Sequence, residues 1–205
     1  MLDKFIAKQL SEPRGISGRV VSFFMNRQNR RIYEKTIDFL DVKGGEKILD
    51  IGCGNGYVLS MIAQKHNGFF AGIDVSESII LAAKQRNKEF VENGTMQFDC
   101  QNLSNMDFGD SAFDKVYTIN TVYFWESLDT SMSEIKRVLK SNGVFYNTLF
   151  SNETLERFSF TKNGYNKFTQ EQLRNAGMEA GFEVESIPLF NGLAYCYIYR
   201  KKESS

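Results

Sequence analysis

The chain has 205 residues, 42% of them apolar and 24% charged, which is ordinary for a globular domain and enough for one buried core. Its 25 Lys and Arg are balanced by 25 Asp and Glu, so no cationic surplus is available for a phosphate backbone and nucleic acid is not the expected partner. Three scattered cysteines (Cys53, Cys100, Cys196) and the single His66 form no group at metal-ligand spacing; free thiols in a reducing compartment are expected, and no metal.

Residues 1–32 contain the Pro13–Gly15 break and Gly18, and read as two short helices around a turn. Neither this stretch nor any later one offers an 18-residue apolar run or a leader-type cleavage site, so a soluble, cytoplasmic protein without a membrane span is expected. Between residues 20 and 42 the apolar positions Val21, Phe24, Met25, Ile32, Ile37 and Leu40 recur with helical period, and Gly44 and Gly45 stop that helix. Arg27, Arg30 and Arg31 read as its solvated face.

Strand and helix then alternate. The pattern predicts strand 47–51, a glycine-rich turn, helix 57–64, strand 69–74, helix 77–92, strand 95–99, strand 113–120 and helix 127–140. The Asn142-Gly143 turn leads into strand 144–149. Residues 152–167 are polar and aromatic without a period and read as a loop or lid. Thr169 and Gln172 have the spacing of a capping box at the start of a helix that ends at Gly181. Strands 182–187 and 194–200 close the chain.

Such alternation predicts an α/β fold with a mostly parallel, seven-stranded, doubly covered sheet. The last two strands, joined by the short "PLFNGL", are expected to pair as an antiparallel hairpin at one edge. Residues 1–205 read as one domain, with residues 1–43 a helical extension or lid and residues 44–205 the core.

The chemistry concentrates in "KILDIGCGNGYVL", residues 47–59. A strand, a glycine-rich turn and a helix bring backbone N–H groups and the positive helix end to one place, and Gly52, Gly54 and Gly56 leave the main chain bare. A dinucleotide enzyme uses a similar loop, but here the last glycine of its Gly-x-Gly-x-x-Gly spacing is absent. Asp50, ahead of the first glycine, opposes a pyrophosphate and suits a ligand with an ammonium group. Asp74 ends the second strand, where a carboxylate can accept both hydroxyls of a ribose. A ligand with a cationic end and a ribose follows, and S-adenosylmethionine is one.

"LDIGCGNGYVL" followed by "GIDVSESII", and later "EIKRVLKSNGVFYN", resembles the class I S-adenosylmethionine-dependent methyltransferases. The similarity runs from about residue 47 to the C-terminus, and "AKQLSEPRGISGRVVSFFMNRQN" resembles the N-terminal extension of one group of small bacterial members. The resemblance implies a Rossmann-like fold, S-adenosylmethionine as cofactor, S-adenosylhomocysteine as product and a small-molecule acceptor. It also implies that the main chain of Gly52, Cys53, Gly54, Asn55 and Gly56 carries the methionine moiety, with Asp50 at its amino group. Asp74 takes the ribose and Val75 packs on the adenine. Asn102 stands where the family has an acid for the adenine amino group, followed by Leu103; an amide oxygen accepts one such hydrogen bond.

After the fourth strand, "INTVYFWE" borders cofactor and acceptor in that family. Asn120 and Tyr123 have the spacing of the Asn-Pro-Pro-Tyr loop of amino-methylating nucleic-acid enzymes, but Thr121 and Val122 replace its prolines. Asn120 is expected to cap the strand and touch the cofactor. Tyr123, Phe124 and Trp125, with Tyr165 from the lid, wall an aromatic acceptor pocket or belong to the core. Where a general base is needed, Tyr123 and Glu126 are the candidates. Two rivals remain: a non-catalytic S-adenosylmethionine-binding module, which Asn102 favours, and a nicotinamide-dependent oxidoreductase, which Asp50 opposes.

Overall fold

A computed structural model describes residues 29–162 and 164–201. The expected helices and turn before residue 29, with Val21, Phe24, Met25 and Arg27, lie outside the described residues.

The first described helix, α1 (Arg30–Leu40), has an apolar stripe that buries Ile32, Tyr33, Thr36 and Leu40, while Arg30 and Arg31 face solvent as expected. It ends at Asp41, whose φ of 41° is left-handed. Then come β1 (Glu46–Ile51), α2 (Tyr57–Ala63), β2 (Gly68–Asp74), α3 (Glu77–Arg86), α4 (Lys88–Glu92), β3 (Met96–Cys100) and β4 (Phe113–Ile119). The second half contains α5 (Leu128–Val138), β5 (Leu139–Phe150), α6 (Asn152–Glu156), α7 (Gln170–Glu179), β6 (Phe182–Leu189) and β7 (Ala194–Lys201).

The sheet has seven strands in the order β3-β2-β1-β4-β5-β7-β6. The first five are parallel, while β7 pairs antiparallel with both β5 and β6. The doubly wound sheet and its C-terminal hairpin are therefore as the sequence predicts. Alternate residues of each strand feed different cores. Leu49, Ile51, Ile73, Val116 and Phe145 pack with Met132 and Ile135 of α5 and Leu173 of α7. Ile48, Phe70 and Tyr117 pack with Ile32 and Leu40 of α1, Leu59 and Ile62 of α2, and Ile80 of α3. Each such side chain, taken fully from water, contributes about 1.5–3 kcal/mol.

Three local predictions shift. The single helix expected over 77–92 is broken at Asn87, whose buried side chain donates to the Ala83 carbonyl at 3.0 Å and to the Gly56 carbonyl at 3.2 Å. Asparagine competes with the helix ladder in this way. The helix expected over 127–140 stops at Val138, and Leu139, extended at φ −77° and ψ 136°, already pairs with Phe113. Residues 152–167 are not structureless. Ser151 caps α6 by accepting the Thr154 amide, and a 3-10 turn covers Ser159–Lys162. Asn166 then donates to the carbonyls of Tyr123 at 2.8 Å and Trp125 at 2.9 Å, which ties the segment over the turn after β4. The Thr169–Gln172 capping box is present in both directions.

Candidate active site

Strand order reverses between β1 and β4, and at such a switch point the loops beyond the strand C-termini part and leave a crevice. A cavity of about 500 Å³ lies there. It is lined by the glycine loop, the ends of β2 and β4, the loop after β3 and the start of α1.

The three glycines of the loop serve different purposes. A Cβ on Gly52 would collide with Thr121, and one on Gly56 would come within 2.6 Å of the Asn87 amide and 2.8 Å of the Phe98 ring. At these two positions the missing side chain makes room for protein, and of the two only Gly52 also borders the cavity. Gly54 has φ +52° and nothing within 4 Å of its hypothetical Cβ. Gly52, Cys53, Gly54 and Asn55 line the cavity, while Gly56 caps α2 behind it. The Cys53 thiol is buried beside Asp50, and burial pushes its pKa well up, so it is an inert thiol.

Asp50 is 3% exposed and lines the cavity. It lies directly opposite Tyr117 in the β1–β4 register, and the Tyr117 hydroxyl donates to its Oδ2 at 2.8 Å. Burial raises the Asp50 pKa to about 8, the Tyr117 hydrogen bond works against that rise, and the charge of Asp74 adds to it. Asp74 accepts the Gly54 amide on Oδ2 at 3.1 Å and the Ser76 amide on Oδ1 at 3.0 Å, while facing the cavity. Val75, 55% exposed, and the buried Leu103 form apolar walls. Asn102 lines the cavity too, with its Oδ1 accepting the Ser104 amide at 2.9 Å in a local turn.

Asn120 sits at φ +58°, a strained conformation for a residue with a side chain. Its Oδ1 holds the turn together by accepting the Tyr123 hydroxyl at 3.2 Å and the Phe150 amide at 3.1 Å. The Asn-x-x-Tyr spacing is thus a hydrogen bond within the turn. Tyr123 itself does not line the cavity. It is 3% exposed, its hydroxyl also donates to the Phe150 carbonyl at 3.1 Å, and burial pushes its pKa far up. This corrects its candidacy as a base and as a pocket wall. Tyr165 likewise packs behind the wall, with ring centroids 5.5 Å from Tyr123 and 4.7 Å from Phe124. Phe124, Trp125 and the exposed Glu126 do line the cavity, and Trp125 Nε1 donates to Thr121 Oγ1 at 3.3 Å.

Sequence reasoning missed several residues that the fold brings here. Tyr33 and Asn29 arrive from α1 and its start, and the Tyr33 ring lies 6.1 Å from Tyr57, over which Arg86 sits at 5.4 Å. Gln101, Ser104, Thr121 and Ser131 also line it. Only Tyr33 had a signal, as a polar-tipped aromatic on an otherwise apolar helix face. Among the described residues no group of His, Cys, Asp and Glu could hold a metal ion, and no helix is long and apolar enough to cross a membrane.

A family model described as "Methyltransferase domain" matches residues 49–147. The chain is 33% identical over 112 residues to 24-methylenesterol C-methyltransferase 2 of Arabidopsis thaliana, which is 55% of this chain and 31% of that protein. It is 30% identical over 124 residues to "Putative methyltransferase YrhH" of Bacillus subtilis, 60% of this chain and 68% of that one. The matched region spans about a third of the length of the sterol methyltransferases of Arabidopsis and rice. Among solved structures, a chain of the complex between the Haloferax volcanii Trm112 methyltransferase activator and a methyltransferase superposes with a TM-score of 0.79 at 17% identity, covering 98% of this chain and 99% of that one. The last similarity is one of fold.

Proposed function

As the chain belongs to the class I S-adenosylmethionine-dependent methyltransferases, we propose that it transfers a methyl group to a small-molecule acceptor by in-line displacement. The observation that carries the reading is the pair of carboxylates, Asp50 and Asp74, at the ends of neighbouring strands on either side of an open Gly54 and facing one cavity. The bound cofactor supplies a methyl group on a positively charged sulfur, already activated for transfer.

The residues fit that group. Asp50 receives the ammonium end, the main chain around Gly54 receives the methionine moiety, and Asp74, which faces the cavity, accepts the ribose hydroxyls. Val75 and Leu103 enclose the adenine, Asn102 accepts from its amino group, and Asn120 borders the reacting end. Phe124 and Trp125 wall the acceptor side, and Glu126 at the cavity takes the proton where the acceptor must lose one. For the rest the protein aligns two partners and keeps water out. We assign residues 1–43 to an N-terminal extension of the core. Asn29 and Tyr33, from its described part, line the cavity.

Neutral charge balance and the curated sterol methyltransferases favour a small molecule over nucleic acid as acceptor. The test is calorimetric titration with S-adenosylmethionine and S-adenosylhomocysteine, followed by a screen of small acceptors for release of S-adenosylhomocysteine. Binding with turnover on an acceptor supports the reading. Binding without turnover across a broad panel favours a sensor module, and no binding of either compound overturns the reading.

A further inference from the structure

Asp50 and Tyr117 form a buried pair that the cofactor chemistry does not by itself require. They are register partners on β1 and β4, 3% and 0% exposed, with the Tyr117 hydroxyl donating to Oδ2 at 2.8 Å. A carboxylate at the floor of a cavity rotates about its last torsion unless something holds it. Asp50 lines the cavity and Oδ2 is taken, so Oδ1 is the oxygen left for a ligand.

We propose that Tyr117 is a positioning residue for cofactor binding, holding Oδ2 of Asp50 so that Oδ1 faces the cofactor's ammonium group. The inference rests on the cofactor reading above. Tyr117 touches no ligand atom; it acts through Asp50.

The surroundings of Asp50 explain why such a donor matters. From β4 it faces Tyr117, from β2 the carboxylate of Asp74, from α1 the phenol of Tyr33 and from the glycine loop the thiol of Cys53. None of these four brings a positive charge. Burial and Asp74 both favour the neutral acid, and the Tyr117 hydrogen bond is what favours the carboxylate before a ligand arrives. A cationic ligand completes the balance by displacing the Asp50 proton to solvent, so its affinity rises with pH until the carboxyl is ionised in the free protein.

Titration of wild type and Tyr117→Phe with S-adenosylhomocysteine and with adenosine, which lacks the ammonium group, tests this at pH 6.5, 7.5 and 8.5. The phenyl ring keeps the shape of the core, and a thermal melt monitors folding. In wild type, S-adenosylhomocysteine affinity should rise several-fold per pH unit below pH 8 while adenosine affinity stays flat. Tyr117→Phe should weaken S-adenosylhomocysteine about tenfold at pH 7.5, less at pH 8.5, and leave adenosine unchanged. Asp50→Asn, which cannot ionise, should bind S-adenosylhomocysteine weakly and independently of pH, and adding Tyr117→Phe to it should cost little more.

Equal loss of both ligands, or no loss of S-adenosylhomocysteine, overturns the positioning role and leaves the cofactor reading intact. Wild type binding neither ligand overturns both. Should Tyr117→Phe not fold, 3-fluorotyrosine at position 117, a stronger hydrogen-bond donor of nearly the same shape, replaces it: tighter S-adenosylhomocysteine at pH 7.5 with adenosine unchanged supports the proposal, and no change in either overturns it.

Discussion

The carboxylate of Asp74 closes the glycine loop: its Oδ2 accepts the Gly54 amide at 3.1 Å across twenty positions of sequence, while Oδ1 accepts the Ser76 amide. One side chain thus fixes the turn after β1 and the entrance to α3. Asp74 also lines the cavity, where a carboxylate is able to accept a ligand's hydroxyls. Asp74→Ala should therefore lose both loop and ligand, weakening S-adenosylhomocysteine at least about a hundredfold. Asp74→Asn keeps one acceptor oxygen for Gly54 and should cost less in melting temperature than in affinity. Calorimetry and thermal melts of the pair check this, and equal losses in both variants would count against it.

Asp50 links the stability of the free protein to pH. Its folded pKa of about 8 lies above the unfolded value of 3.8 because burial disfavours the charge. The folded state then binds more protons between those limits, and the contribution of this group to stability falls as pH rises from about 4 to about 8. Within the window the slope approaches about 1.4 kcal/mol per pH unit. Asp50→Asn removes this dependence and should be more stable than wild type at pH 8 without ligand, while binding S-adenosylhomocysteine worse. Urea melts at pH 5 and pH 8 read the first effect and titration the second.

The glycine loop should divide under alanine substitution. Gly52→Ala and Gly56→Ala place a methyl against Thr121, or against Asn87 and Phe98, and should destabilise by about 1–3 kcal/mol. Gly54→Ala meets no neighbour and carries only the left-handed backbone cost of about 1 kcal/mol. Its larger effect should be on ligand affinity. Parallel melts and titrations separate the three, and a Gly54→Ala protein that binds normally would show that the ligand does not approach that main chain.

Tyr123 belongs to the scaffold of the turn after β4. Tyr123→Phe removes the donor to Asn120 Oδ1 and to the Phe150 carbonyl, and should cost about 1–2 kcal/mol of stability. Once an acceptor is found, the pH–rate profile should keep its shape in this variant. Loss of its basic or acidic limb would restore Tyr123 as a proton carrier.

Much of this was legible in the chain itself, because it depends on neighbours a few positions apart. The strand–glycine–helix turn at 47–59, the acid at the end of the second strand, the capping box of Thr169 and Gln172, and the β–α alternation all express short-range stereochemistry, so the fold and its crevice could be read from residue order. Even the break at Asn87 arises from its own helix, though no propensity announces that its amide also reaches Gly56.

What the tertiary structure decided is which distant side chains share a space. Tyr117 stands 67 positions from Asp50 and becomes its partner only through β1–β4 register. Tyr123 looks like a catalytic phenol beside Phe124 and Trp125, yet turning the chain at Asn120 sends it inward and leaves its two neighbours in the cavity. Gly56 resembles Gly54 in sequence and differs from it by what packs behind it. In each case the property belongs to burial and long-range contact, which a residue acquires only when the sheet has assembled around it.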